Sequence, residues 1–137
     1  MTLARRSLLA GLVATPLLLA VGDAFAGSYL NRAALLLHQS RSERDMVLPR
    51  PNDKELLRMV HAVAKARADT ARTMEVPKVI AHAHPHLLLV LENSERAYAA
   101  AIARKHQRFL QHILRARAED KTFRALVENM GYSIPPT

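Results

Sequence analysis

The sequence contains no cysteine and no tryptophan, and only 4 of its 137 residues are glycine. Without cysteine the chain cannot form disulfides, thiolate zinc sites, iron–sulfur clusters or covalent haem links, and it has no cysteine nucleophile. Aromatic residues make up 4% of the chain, whereas 50% of it is hydrophobic. This hydrophobic fraction is too high for a disordered tail, and the length suits a single domain. We therefore expect one domain stabilised by an apolar core.

The first 26 residues have the three-part layout of a secretory signal peptide. Arg5 and Arg6 precede an apolar run over residues 8–21, and the segment closes on Ala24 and Ala26. The run is shorter than the roughly 20 residues that a membrane-spanning helix needs. The sequence predicts cleavage after Ala26 and an exported protein, periplasmic or secreted, with no membrane span in its mature form; an uncleaved anchor is the alternative. The arginine pair also resembles a twin-arginine export signal, whose cargo crosses the membrane already folded.

Residues 27–137 are predicted to form one all-α domain. No glycine occurs between Ser28 and Ala118, alanine and leucine are frequent, and prolines mark the boundaries. The periodicity predicts four helical segments, over residues 28–42, 52–75, 85–118 and 121–130. Short connections between amphipathic segments favour a small antiparallel helical bundle.

Several residues are predicted to begin, end or line these segments. Ser28 is the expected N-cap of the first segment, and Asn52 or Asp53 caps the second. Gly131 follows the last segment, where a helix commonly ends in a left-handed residue. The predicted apolar stripe of the second segment consists of Leu56, Met59, Val60, Val63, Ala64, Ala71 and Met74. The third segment, at about 50 Å, would overhang the second, so a homodimer covering the overhang is an alternative to the monomeric bundle.

Arg67 lies within the apolar stripe of the second segment and therefore needs a charged partner. Antiparallel packing would place Glu95, on the third segment, at about the same depth. We predict a buried Arg67–Glu95 ion pair with a structural role, since buried pairs add little stability but are costly to break.

Three of the seven histidines, His82, His84 and His86, alternate along one connector. In an extended conformation, which Pro85 favours at His84, the first and third would project to the same side. Imidazoles so arranged could hold Cu²⁺, Ni²⁺ or Zn²⁺. A solvated connector without metal is the alternative interpretation.

Arg104, Arg108 and Arg115 are predicted to share one face of the third segment, away from its apolar stripe. The chain has 20 Lys and Arg against 12 Asp and Glu, and 18 against 11 remain after residues 1–26. This excess favours an anionic protein or envelope partner. Nucleic acid is disfavoured, because the predicted export and the few aromatic residues do not suit it.

The sequence contains no glycine-rich phosphate loop, no Gly-x-Ser-x-Gly elbow and no paired Glu-x-x-His motifs. We therefore expect an exported, non-enzymatic helical bundle that acts by binding through a basic, histidine-bearing surface. Two alternatives are a periplasmic metal-binding protein that uses the three histidines and an accessory subunit of an exported enzyme.

Overall fold

The structure is a computed structural model that describes the backbone of residues 2–134 and the side chains of residues 24–134. Most of the proposed signal peptide and the terminal Pro135 and Pro136 therefore lie outside the described side chains. The described chain is all-helical, as predicted, and contains no strand. Its elements are α1 (Thr2–Val47), α2 (Lys54–Arg72), a short 3-10 helix (Lys78–Ile80), α3 (His84–Ile102) and α4 (His106–Asn129).

The first helix, α1, passes through Ser28 without interruption, so the prediction of Ser28 as an N-cap is wrong for the full chain. A single glycine in a helix costs only about 1 kcal/mol, and Gly27 alone does not break α1. Ala26, Tyr29 and Leu30 beside it are buried in the core, and their packing holds the helix there. α1 ends at Val47, two residues before Pro49.

The second helix begins as predicted. Asp53 is its N-cap, and the Asp53 carboxylate accepts a 3.1 Å hydrogen bond from the backbone N–H of Leu56. The predicted stripe is partly wrong, because Met59 and Val63 are 68% and 51% exposed. The buried face is rotated toward Leu57, and the helix ends at Arg72, three residues before the predicted end.

The largest correction concerns the predicted long third segment, which is two helices joined by a tight turn at residues 103–105. The N–H of Lys105 donates to the carbonyl of Ala100, and the N–H of Arg104 donates to that of Ala101. These bonds form a Schellman motif, in which Arg104 takes the left-handed position with φ 61°. α4 then runs back along α3 and includes the predicted fourth segment, so the predicted overhang does not exist.

Side-chain contacts establish an up-down-up-down bundle. His86 contacts Glu119 and Asn93 contacts His112, so α3 and α4 are antiparallel. Tyr29 contacts His84 and Ser40 contacts Ser94, so α1 and α3 run in the same direction. α3 packs most extensively against α4 and α2.

The apolar core is divided into two clusters by buried polar residues. One cluster contains Leu37, Leu91 and Phe123, and the other contains Tyr98 and Phe109. The polar residues near the division come from all four helices: Ser40, Glu43, Arg44, Arg67, Ser94 and Asp120. Within the described residues, no helix is both long enough and apolar enough to cross a membrane.

Candidate anion-binding surface

A cavity of about 500 Å³ lies at one end of the bundle, between the start of α2 and the α3–α4 turn. We call it the end cavity; its lining residues are Pro51, Asn52, Lys54, Leu57, Arg58, Ala101, Ile102, Arg104 and His106. Three of these residues are cationic and none is a carboxylate. The cap at Asp53 and the Schellman motif at Arg104 fix the two backbone segments that carry the cations. Such a cavity attracts anions through its charge and offers them apolar contacts as well.

Arg104 lines this cavity, and its backbone has the left-handed conformation with φ 61°. A left-handed backbone is disfavoured for residues with a side chain by roughly 1–2 kcal/mol, and glycine is the usual occupant of this position. Strained backbone of this kind clusters at functional sites. The left-handed backbone of Arg104 sets the position of the turn beside the cavity.

The three predicted surface arginines do not share one helix face. Arg104 lies in the turn, whereas Arg108 and Arg115 lie seven residues apart on α4 and are exposed. Among the residues whose side chains are described, none of the three forms an ion pair. All three arginines are exposed, and a surface for an anionic partner at these residues stays a prediction.

His112 lies close to arginines of both α3 and α4. Burial lowers the pKa of His112, and the nearby Arg115, Arg96 and Arg108 lower it further. Nδ1 of the imidazole donates a 3.0 Å hydrogen bond to the side-chain oxygen of Asn93. An imidazole held neutral leaves the three arginines as the charged groups around it.

The three connector histidines do not converge on one point. His84 begins α3 in a helical conformation, which contradicts the predicted extended backbone. His82 is exposed, and Nδ1 of His86 donates a 2.6 Å hydrogen bond to Glu119. Over the part of the chain with described side chains, no group of three or more His, Asp or Glu residues could hold a metal ion.

His84 instead joins three helices. Its Nε2–H donates to the carbonyl of Ala71 at 3.1 Å, so Nδ1 is left to accept a 2.7 Å hydrogen bond from the hydroxyl of Tyr29. Burial lowers the pKa of His84, although the bond to Ala71 opposes this effect. Both ring nitrogens are engaged, so metal coordination would break two partly buried hydrogen bonds.

Arg67 is buried as predicted, but its partner is Glu43 on α1 and not Glu95. Two parallel 3.1 Å hydrogen bonds join the guanidinium to both carboxylate oxygens. Glu95 is only partly buried and forms no ion pair with Arg67. Burial raises the pKa of the nearby Tyr98 hydroxyl well above its ordinary value, and the Glu43 carboxylate raises it further.

Arg44 is a buried charge that the sequence interpretation missed. Its side chain is 2% exposed, and Nη1 donates to Ser40 at 2.7 Å and to Ser94 at 3.3 Å. The signal was present in the sequence, because Ser40 lies on the apolar side of the first segment and Arg44 follows it by four residues.

No model of a known protein family, no curated protein and no solved structure matches this chain. The fold and the surface define a small helical bundle with a cationic cavity at one end.

Proposed function

We propose that this chain is an exported, non-enzymatic binding protein that docks an acidic protein segment at the end cavity. The observation that carries the proposal is a cavity of about 500 Å³ lined by Lys54, Arg58 and Arg104 without a lining carboxylate. Carboxylates form their strongest hydrogen bonds with such cations, and guanidinium groups bind them in a two-pronged geometry.

The apolar lining favours a protein segment over a bare polyanion. Leu57, Ala101 and Ile102 line the same cavity, and Ile102 is 42% exposed. A segment that alternates acidic and apolar side chains would satisfy both parts of the lining. Arg108 and Arg115 extend the positive surface along α4 and would steer such a partner toward the cavity.

Export is supported by the order of features in residues 1–26, where the arginine pair, the apolar run and the small residues follow one another. In the structure, Tyr29 is the first large side chain described in the core. A mature chain that starts at Gly27 would therefore keep the large α1 side chains that are described in the core, such as Tyr29, Leu30 and Leu37.

The test measures binding of a fluorescent peptide of alternating Glu and Leu to the full chain by anisotropy, at low and high salt. Replacing Lys54, Arg58 and Arg104 by Gln should weaken binding by about tenfold or more, because each lost charge-assisted bond contributes roughly 1.5–3 kcal/mol before screening. A peptide with Gln in place of Glu should not bind.

The control replaces Arg32, Lys65 and Lys78 by Gln, which removes the same charge from exposed positions outside the end cavity. This variant should bind within about twofold of the natural chain, since distant charges are screened. Equal losses in both variants would overturn the proposal, because binding would then follow net charge alone. The accessory-subunit alternative would be favoured instead if the chain co-purified with one folded enzyme and the cavity variant still bound that enzyme.

A further inference from the structure

A second cavity, of about 410 Å³, lies between α1 and α4 and is lined by more charged groups than the end cavity. We call it the arginine cavity; its lining residues are Arg41, Arg44, Asp45, Arg117, Ala118, Asp120, Lys121 and Arg124. Five of these residues are cationic and two are acidic. The lining therefore carries three positive charges in excess.

One buried carboxylate lies within 4 Å of three guanidinium groups in this cavity. Asp120 is 5% exposed and accepts a 2.7 Å hydrogen bond from Nε of Arg124. Its other oxygen lies 3.5 Å from Arg41 and 3.9 Å from Arg44. A single carboxylate neutralises only one of these charges, and uncompensated charge is costly at the buried Arg44, whereas the Arg41 side chain is 45% exposed.

Two buried N–H groups beside this carboxylate have no acceptor. Nε of Arg44 and one terminal nitrogen of Arg124 are buried without a hydrogen-bond partner among the described residues. Arg44 is 2% exposed, so the charge cannot turn toward bulk water. Burial lowers the pKa of Arg44; Tyr98 and Asp120 oppose this effect, and the neighbouring Arg117 and Arg41 add to it. An anion in the cavity would relieve the excess charge, and a small turn of the Arg44 and Arg124 side chains toward it would supply the missing acceptors.

We infer that the arginine cavity binds the phosphate group of a small phosphate monoester. A phosphate monoester carries up to two negative charges and three acceptor oxygens, which match the unneutralised guanidinium groups and their free donors. The volume falls within the range of small-molecule sites, so the ester's organic part has room beside the phosphate. This site is separate from the end cavity and does not depend on the proposed docking of an acidic partner.

The test is isothermal titration of the full chain with inorganic phosphate and with phenyl phosphate, at constant ionic strength. We expect saturable binding at one site and tighter binding of phenyl phosphate. Arg124→Gln should weaken both by about tenfold or more, since one charge-assisted bond is lost. Arg115→Gln, on α4 but outside the cavity lining, should bind within about twofold of the natural chain.

Asp120→Asn separates ligand binding from a purely structural role. The substitution removes the carboxylate that competes for the three arginines, so we expect tighter phosphate binding and a larger rise of Tm with phosphate than in the natural chain. A structural cluster without a ligand would lose stability in this variant and gain no response to phosphate.

Three results would overturn the inference. The first is the absence of saturable binding with either probe. The second is an equal loss in Arg124→Gln and Arg115→Gln. The third is binding confined to vesicles that contain phosphatidic acid, which would show that a membrane surface and not a small ester is bound. The variant at Lys54, Arg58 and Arg104 should bind phosphate normally, so failure of the docking proposal would leave this result intact.

Discussion

Two arginines, Arg44 and Arg67, are buried in this bundle and differ in how their charges are balanced. Arg67 has a carboxylate of its own, and both oxygens of Glu43 accept from it. Arg44 donates hydrogen bonds to two serine hydroxyls, and it lies 3.9 Å from the Asp120 carboxylate, which also contacts two other arginines. The first arrangement is complete within the protein, whereas the second leaves a donor unused. This difference is why Arg67 is interpreted as structural and Arg44 as part of a ligand site.

Removing the partner of Arg67 should be strongly destabilising. Glu43→Gln keeps the side-chain volume but leaves the guanidinium without a counter-charge at a position that is only 7% exposed. We expect the free energy of unfolding to fall by about 3 kcal/mol, because an uncompensated buried charge remains. Urea denaturation followed by circular dichroism measures this loss.

The matched control is Glu95→Gln, which removes the same charge from a partly buried residue that does not pair with Arg67. This change should alter the free energy of unfolding by no more than about 0.5 kcal/mol. Replacing the pair together, by Glu43→Leu and Arg67→Met, should recover most of the stability, since buried pairs are readily exchanged for apolar residues. Similar costs for Glu43→Gln and Glu95→Gln would contradict the assigned pairing.

The burial of Arg67 could be predicted from sequence, but the identity of its partner could not. Burial follows from the position of Arg67 among apolar residues at helical spacing, which is a local property. The partner depends on which helices are neighbours and on their relative depth. The predicted first segment ends at residue 42 and so does not contain Glu43, whereas α1 continues to Val47 and carries Glu43 on its buried side.

The turn between α3 and α4 decides the architecture, and its conformation suits glycine better than arginine. At the corresponding place after α4, Gly131 has φ 87° and completes a second Schellman motif, with the N–H of Tyr132 donating to Val127. The two helices thus end in the same way with different residues. This explains why the end at Gly131 was predicted and the end at Arg104 was missed.

The hydrophobic periodicity of the sequence does not indicate the turn between α3 and α4. Tyr98 and Phe109 are eleven residues apart, close to three helical turns, so the apolar stripe keeps its phase across the break. The caps at Asp53 and Gly131 were predictable because each depends on one residue's own chemistry. The break at Arg104 depends instead on the packing of α4 back onto α3, which no local pattern records.

Arg104→Gly should stabilise the bundle and impair binding at the end cavity. Glycine adopts the left-handed conformation without steric cost, so we expect the free energy of unfolding to rise by about 1 kcal/mol. The same change removes one of the cavity's cations, so affinity for the acidic peptide should fall. Denaturation and anisotropy measurements on one protein sample check both effects.

Ala103→Gly is the control for this substitution. Ala103 has φ −76°, which alanine adopts freely, so glycine there should lower stability by roughly 0.5–1 kcal/mol and leave peptide binding unchanged. If both glycine variants were destabilised equally, the left-handed backbone of Arg104 would not be strained. If Arg104→Gly bound the peptide normally, the arginine would have no part in docking.

At the scale of the whole molecule, polar residues between the two apolar clusters link all four helices. The contacts of Glu43 with Arg67 join α1 to α2, those of Ser40 with Ser94 join α1 to α3, and Asp120 brings α4 to α1. Each of these contacts fixes the relative depth of two helices, because a shift by one turn would separate buried polar groups from their partners. The apolar clusters tolerate sliding more readily, so we assign the register of the bundle to these polar contacts.

The proposed cleavage after Ala26 has a consequence for how α1 begins. Of residues 24–26, Ala26 is buried and Phe25 is 45% exposed, so their removal takes one buried methyl group and part of one aromatic ring from the contacts of α1. In the full chain Ser28 lies inside α1 and is exposed, but in a chain starting at Gly27 its hydroxyl is free to accept from the N–H groups of the new first turn. Ser28→Ala should therefore lower the free energy of unfolding by about 1 kcal/mol in the chain of residues 27–137 and by less than half of that in the full chain.

Urea denaturation of the four proteins measures the difference, and N-terminal sequencing of the exported protein establishes whether Gly27 is the first residue. An equal effect of Ser28→Ala in both chains would mean that α1 starts elsewhere, and an exported protein that begins at Met1 would overturn the cleavage itself.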